Sequence, residues 1–464
     1  MTDETLIKFE NVDSSVDASL SGSVVFFLVC LIPVVSTILY GGVDAFTWIL
    51  ISIAAAAIVF AWLTEAWKRN GFLIERSALL LPLTGMVLIG IIQIVPVFDS
   101  GIASELLAIP AAKTLSLDPY STRFFLTRLV VYLIFFAAAL TFINSESRLK
   151  KVIIGIITFG MIMAMFGILQ RLANAEAIYG MRTPAQAIPF ASFINQHHFA
   201  SFMEMTGGIV FGILFGTAIG RDKKIILATA AVIMGVAVVL TSSRGGLLSF
   251  IGALMFVVIV NFVLKRSTGT KFAEKDPSQV IAFAAAGIGF LVVVFGVVLL
   301  LGGDSSLMRG IGLSGVTDDI SNGRTHFWSV AIKVFLDHPI LGAGFDAFGV
   351  AFPKYDSWTG AFRIEQVHND YLQTLADAGI AGFVCIAAFI FLLFRKSLRL
   401  ISTETDDFHR SAAVGALAGC FGILIHSFFD FPLRTPSNAF FFLLLASIAT
   451  VSIQKADKKH RTMT

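Results

Sequence analysis

Charge is what this chain has least of. Only 14% of its 464 residues are charged, well below the share in a soluble domain, and this excludes an ordinary globular protein. Cysteine is nearly absent: Cys30, Cys385 and Cys420 each fall inside an apolar run, which excludes a disulfide framework and a reactive thiol. The N-terminus lacks the positive charge of a signal peptide, since Asp3, Glu4, Glu10, Asp13 and Asp17 stand against Lys8. The first apolar run therefore reads as a retained span. No internal repeat and no low-complexity tract is found. Nor is there the succession of short alternating segments that a membrane β-barrel requires. The net charge of +3 points to no particular partner and gives no reason to expect nucleic acid.

What is present is apolar length. Hydrophobic residues make up 56% of the chain, and the mean hydropathy is +0.84. A helix needs ~20 mostly apolar residues to cross a bilayer. Such runs fall near 23–40, 46–66, 77–97, 122–143, 150–170, 198–219, 224–241, 245–264, 279–302, 379–395, 411–428 and 437–454. The fold expected is an all-α polytopic membrane protein of about 12 transmembrane helices. Residues 1–22 and 455–464 form tails, 23–302 carries spans 1–9, 303–378 is a long loop, and 379–454 carries spans 10–12.

Charge between the spans alternates. Lys68, Arg69 and Arg76, then Arg148, Lys150 and Lys151, then Arg221, Lys223 and Lys224, then Arg395, Lys396 and Arg399 occupy one set of connections. The positive-inside rule assigns that set and both termini to the cytoplasm. The loop between spans 9 and 10 is then exocytoplasmic, and loops this long are usually functional or disordered. Its aromatic residues argue for order. Within it, "RTHFWSVAIKVFLDHP" has helical spacing, with Phe327, Trp328, Ala331, Val334 and Phe335 on one apolar face and Pro339 as the stop. Such a helix either lies in the membrane interface or packs on the span bundle.

Three residues on that face have chemistry to offer. Arg244, in "TSSRGGLLSF", is either a snorkelling arginine at a span end or an anion site beside Gly245 and Gly246 at a helix N-terminus. Arg324, in "SNGRTHFW", either pairs with Asp318 or Asp319 or binds a phosphate group. His368 is either a loop-ordering hydrogen-bonder or a general base, since histidine changes charge near neutrality. Asp370, two residues on, is a candidate to orient it, and Asn369 and Tyr371 complete the polar quartet. Arg123 and Arg128, at the outer end of the fourth span, either extend a positive field or anchor the span. His197 and His198 have no second ligand pair at metal-binding spacing, so no metal and no cofactor is expected.

The stretch "GRTHFWSVAIKVFLDHPILGAGFDAFGVAFPKY…EQVHNDYLQTLADAGIAGF" resembles the O-antigen ligase and O-antigen polymerase superfamily of bacterial envelope proteins. Arg324, Trp328, His338-Pro339, Gly342-Ala343-Gly344, His368-Asn369, Tyr371-Leu372 and Gly379-Ile380-Ala381-Gly382 carry the resemblance over about 60 residues. "SSRGG" fits the family's other arginine. "FINQHHFASF" and "HSFFDFPLRTPSNA" look like further family segments, which adds Asn195, His198, His426, Asp430 and Arg434 as supporting site residues.

The resemblance implies a glycosyltransferase C-type fold and an inverting, metal-free transfer of a glycan from undecaprenyl diphosphate to an acceptor hydroxyl. The acceptor would be lipid A core, a protein or another carrier-bound glycan, at the periplasmic face of the bacterial inner membrane. His368 would be the catalytic base, and Arg244 and Arg324 would hold the diphosphate. A polymerase of O-antigen or exopolysaccharide, a protein O-oligosaccharyltransferase and a secondary transporter are the alternatives. The three residues are expected to meet at one exocytoplasmic cavity.

Overall fold

The protein is described by a computed structural model for residues 19–97, 114–267, 289, 323–358, 360 and 363–453. It is helical throughout, with only isolated β-bridges among the described residues. The helices are α1 (Leu20–Ile38), α2 (Ala45–Arg69), α3 (Leu80–Ile94), α4 (Pro119–Phe142), α5 (Glu146–Leu172), α6 (Gln196–Phe215), α7 (Arg221–Leu240), α8 (Arg244–Ser267), α9 (Arg324–Asp337), the short α10 (Phe348–Ala351), α11 (Asp370–Thr403), α12 (Asp407–His426) and α13 (Pro436–Thr450). Among the described residues nine are long and apolar enough to cross a membrane, and α3 and α13 are shorter apolar helices. These eleven fall where the sequence placed spans. The expected span at 279–302, and Asp318 and Asp319, lie outside the described residues.

Side-chain caps start the helices. Ser19, Ser145, Asn195, Asn369 and Asp406 each accept a free amide of the following first turn. The centre of the bundle is the pair α6 and α12. Gly208 and Gly212 of α6 lie against Gly415 and Gly419 of α12, so close that a Cβ on Gly208 would come 2.9 Å from the Gly415 carbonyl oxygen. Small residues four apart let two backbones touch, which is how helices associate where apolar burial alone gives no preference.

One end of the bundle collects the chemistry. The N-termini of α6, α8, α11 and α13 meet there with the C-terminus of α12. Ser201 and Glu204 of α6 reach His426, Asn438 of α13 donates to the His198 carbonyl, and Asp370 of α11 donates its amide to the Ser427 carbonyl. At the other end Ser21 bonds Glu65, and His409 reaches both Glu404 and the Val451 carbonyl.

Helix α11 is broken at Gly379 (φ 63°), a conformation that favours glycine. The break is sealed by the turn after α9. The amides of Ile380 and Ala381 donate to the Pro339 and Ile340 carbonyls at 2.8 and 3.1 Å, and those of Ala343 and Gly344 donate to the Ala376 and Asp377 carbonyls at 2.8 and 3.0 Å. The orphan groups on both sides of the break are thus satisfied. Gly342 (φ 72°) sits so near the Asp377 backbone that no side chain fits. The His-Pro…Gly-x-Gly turn and the Gly-Ile-Ala-Gly helix entry are therefore two halves of one contact.

The face of α9 differs from expectation. Phe327, Val330, Ala331 and Val334 are buried, packed with Phe348, Phe352 and Val367. Phe335 and Trp328 are only half-buried, while Ile332 and Leu336 are exposed. The helix has two apolar stripes, and the inner one packs on the protein.

Candidate functional site

Asp430 is the hub of the polar end. It lies in the turn between α12 and α13 and is 1% exposed. Its Oδ1 meets His368 Nδ1 at 3.0 Å and its own chain's Phe431 amide at 2.9 Å, and Arg324 Nη2 donates to Oδ2 at 3.4 Å. A second Arg324 nitrogen donates to the Phe429 carbonyl. Burial alone would raise the Asp430 carboxyl, but the hydrogen bond and charge of His368, with His197 and His198 adding to it, hold it well below the usual carboxylate range. Asp430 therefore stays ionised and can only accept. His368 Nδ1 carries the proton of that bond, so in the neutral ring Nε2 is the atom that accepts.

The backbone delivers His368 under constraint. Its φ is +56°, an uncommon conformation for a non-glycine residue and one that persists where surroundings enforce it. The enforcement is visible. Phe431 packs edge-on to its ring at 4.7 Å centroid separation, and Phe327 of α9 stacks on it at 6.0 Å. Asn369, next along, accepts from the Tyr371 and Leu372 amides at 3.0 Å each, capping α11, and donates to the Phe428 carbonyl at 3.1 Å.

Arg324 and His368, 44 positions apart in the sequence, thus share one carboxylate. Arg244 starts α8 at the same end of the bundle. It is exposed, and the Gly245 beside it lies against His426 and Phe429: a Cβ there would come 3.1 Å from His426 Cδ2 and 3.2 Å from Phe429 Cβ. Behind this surface His426 Nδ1 meets Glu204 at 3.2 Å and Ser201 Oγ at 2.9 Å, all buried. His198 is also buried, with Nδ1 on Thr435 Oγ1 at 2.7 Å, and its ring packs edge-on to Phe431 at 4.9 Å. His197 opens α6 close enough to feel the charges of Asp430, Arg324 and His368.

The other residues singled out from the sequence take the following places. Asp370 does not orient His368: its carboxylate accepts from Ser427 Oγ at 2.9 Å and the Leu433 amide at 3.2 Å, so it fastens the α12–α13 turn. Tyr371 donates its hydroxyl to the Leu424 carbonyl at 2.7 Å and likewise braces that turn. Asn195 caps α6 through the His197 amide at 2.8 Å. Arg434 belongs to a separate cluster, pairing with Asp346 at 3.2 Å and with the buried Asp377. Arg128 lies over the Trp48 and Phe124 rings at 5.1 and 4.5 Å, and Arg123 is exposed on the outside of α4. Among the described residues no three His, Cys, Asp or Glu side chains are arranged to hold a metal ion.

Sequence reasoning missed Gln93, Asp346 and Asp377. Gln93 is fully buried in α3, donates to the Asp377 carbonyl at 2.8 Å and accepts the Phe345 amide at 3.0 Å. Asp377 accepts from Gln373 at 3.2 Å and from the Asp346 amide at 3.2 Å. The signal was there: a lone glutamine in "LIGIIQIV" and an aspartate in "LADAGIAG" are polar groups in apolar surroundings that need a partner.

An all-helical bundle with this many apolar helices is a multi-pass membrane protein. More particularly, residues 229–387 match the O-antigen ligase family model, so the resemblance read from the motifs is found again over the segment that holds Arg244, Arg324 and His368. Asp430 and His426 lie beyond the matched segment. A curated relative, the exopolysaccharide production protein ExoQ of Rhizobium meliloti (strain 1021), is 22% identical over 191 residues, which is 39% of this chain and 42% of that protein. The match thus spans less than half of that relative's length.

Proposed function

We propose that this chain is a membrane glycosyltransferase of O-antigen ligase type, which moves a glycan from undecaprenyl diphosphate to an acceptor hydroxyl at the periplasmic face of the bacterial inner membrane. The observation that carries the reading is that Arg324 and His368 meet on Asp430. A cation for a leaving diphosphate and an oriented base for an incoming hydroxyl stand on one carboxylate.

In this reaction the acceptor hydroxyl passes its proton to His368 Nε2 as its oxygen bonds the anomeric carbon. The bond from that carbon to the diphosphate oxygen breaks, and undecaprenyl diphosphate leaves with the electron pair. Attack opposite the leaving group inverts the centre. Arg324 and Arg244 stabilise the charge that develops on the diphosphate, the kind of preorganised electrostatics that usually contributes most to catalysis. Arg324 spends two of its five N–H groups on Phe429 and Asp430, which fixes the guanidinium and leaves three for phosphate oxygens. Asp430 holds the imidazole in the tautomer that accepts.

The membrane orientation follows the same reading. Lys68, Lys150, Lys224 and Lys396 lie toward the ends of α2, α5, α7 and α11 away from the site, which supports cytoplasmic termini (1–22 and 455–464), span blocks at 23–302 and 379–454, and a periplasmic loop at 303–378. The ExoQ relative, an exopolysaccharide production protein, favours exopolysaccharide over lipopolysaccharide. That makes a polymerase, whose acceptor is another carrier-bound glycan, the second reading.

The test is transfer of a lipid-linked oligosaccharide by purified variants in detergent. His368→Ala is expected to abolish transfer while donor binding persists. Near-normal transfer by that variant would remove the base from the mechanism. Transfer lost in a chelator and restored by a divalent cation would remove its metal-free part.

A further inference from the structure

A cavity of about 430 Å³ opens beneath the 173–195 connection, between the end of α5 and the start of α6, a volume in the range of small-molecule sites. Gln170, Arg171, Asn174 and Glu176 form its polar wall, and Pro184 and Phe190 contribute to its apolar side. It is a built site rather than a gap in a loose loop. Phe190 is buried in van der Waals conflict with any side chain at Gly167, so only glycine there lets its ring close the floor. The connection is tied down by Tyr179 to the Ile38 carbonyl at 2.8 Å, Ser192 to the Thr37 carbonyl at 2.6 Å, and the Arg182–Asp44 ion pair at 2.6 Å.

The wall is chemically unfinished. Gln170 is 8% exposed, and among the described residues its buried amide Nε2 has no hydrogen-bond partner, an arrangement that costs ~1–3 kcal/mol unless something completes it. Arg171 and Glu176 share the wall without pairing with each other or with another described side chain.

We propose that this cavity is a glycan subsite, binding one or two neutral sugar residues at a distance from the bond being made. The amides of Gln170 and Asn174, the guanidinium of Arg171 and the carboxylate of Glu176 are planar groups that each offer paired donors or acceptors, the pattern that matches neighbouring hydroxyls on a sugar ring. One positive and one negative charge cancel, so the site does not select an anion such as diphosphate. The proline and phenylalanine surfaces suit the C–H face of a ring. Position fits as well, because α6 leaves the cavity's edge and within its first turn presents His197 and His198 to the Asp430 cluster. The inference rests on the glycan-transfer reading and adds to it the place where the sugar chain is recognised.

The test uses the full chain in detergent and, as probe, the repeat-unit oligosaccharide released by mild acid from the lipid-linked pool of the producing cells. Calorimetry is expected to show binding that Arg171→Ala and Glu176→Gln each weaken about tenfold, the loss of one charge-assisted hydrogen bond. Ala187→Trp, which fills the cavity from an accessible loop, abolishes it, and inorganic diphosphate does not compete. Unchanged binding in these variants, displacement by diphosphate, or no binding to the wild type would each overturn the subsite. A transfer assay on the same preparations separates the two proposals. Normal transfer by His368→Ala defeats the mechanism whatever the cavity binds, whereas His368-dependent transfer with cavity variants that bind normally defeats only the subsite.

Discussion

Asp430 and Asp377 are both buried carboxylates at the same end of the bundle, and each takes an arginine, yet their surroundings differ in kind. Asp377 is enclosed: Arg434 spans it and Asp346, Gln373 adds a hydrogen bond at 3.2 Å, and the Asp346 amide adds another at 3.2 Å. The Arg434 side chain is only 13% exposed. Asp430 holds its two partners facing outward, Arg324 at 26% and His368 at 30% side-chain exposure. The Arg434 guanidinium and the Asp377 carboxylate of the first cluster are closed in by the protein. In the second, the guanidinium keeps N–H groups in hand and the imidazole keeps Nε2. The same ion-pair chemistry makes a clamp in one place and an open site in the other, and the difference is where the partners' remaining groups point.

The largest effect should come from breaking the clamp. Asp377→Ala leaves Arg434 buried against Asp346 alone and takes the acceptor from the Asp346 amide and the Gln373 side chain. Removing one partner of a buried pair costs ~3–5 kcal/mol. The variant is expected to accumulate poorly and to unfold well below the wild type in a thermal scan in detergent. Asp430→Ala should unfold later than Asp377→Ala, since Arg324 and His368 can turn to water. Equal losses in the two variants would erase the distinction between clamp and site.

Next in size is His368→Ala, now read for its contrast with the clamp. Loss of a general base lowers turnover by roughly 10²–10⁴, and the half-exposed ring should leave the unfolding temperature close to wild type. A variant that loses transfer only because it unfolds would place His368 with the structural residues.

Much of this was legible in the sequence, for a physical reason: crossing a bilayer leaves a long apolar run, and such runs marked α1 to α8 and α11 to α13. Asn369 was marked only as a member of the polar quartet, and its place as the N-cap of α11 was hidden because the apolar run begins at Gly379. The partner of His368 was not legible. Asp370 is two residues away and Asp430 is 62 positions away in the hydrogen-bonded pair, yet proximity in sequence gave way to the turn after α12 folding back over α11. The inner face of α9 was misjudged by about one position because apolar residues stand on two sides of it, and pattern alone does not say which side meets protein. The Gln93–Asp377–Arg434 network was passed over because its members are scattered over α3, α11 and the final turn, each a single polar residue in its own segment.

Asp430→Asn sharpens the comparison further. The amide keeps the shape but can present its NH₂ to His368, which disturbs the tautomer. Loss of an orienting partner of this kind typically costs about 10–100-fold in activity. The expected loss is in turnover, with donor binding retained through Arg244 and Arg324. A change confined to KM would mean that Asp430 serves only to seat Arg324.

The smallest effect belongs to the two arginines of α4, which the sequence could not tell apart. Arg128 is half-buried, with its guanidinium over Trp48 and Phe124, and lies within the electrostatic reach of Asp346 and Arg434. It is a neighbour of the clamp. Arg123, five residues earlier, is exposed, and among the described residues no side-chain partner holds its guanidinium; its backbone carbonyl accepts from Thr127 Oγ1 at 3.0 Å. A surface substitution with no such tie is expected to stay within about 0.5 kcal/mol. Arg123→Ala should therefore match wild type in both unfolding temperature and transfer, while Arg128→Ala loses the cation–π contacts, worth about 0.5–2 kcal/mol depending on desolvation, and unfolds earlier. If Arg123→Ala instead raises the KM for the lipid-linked donor, and the rise fades with added salt, the arginine extends the site's positive field over a distance, and the open site is wider than the Asp430 cluster.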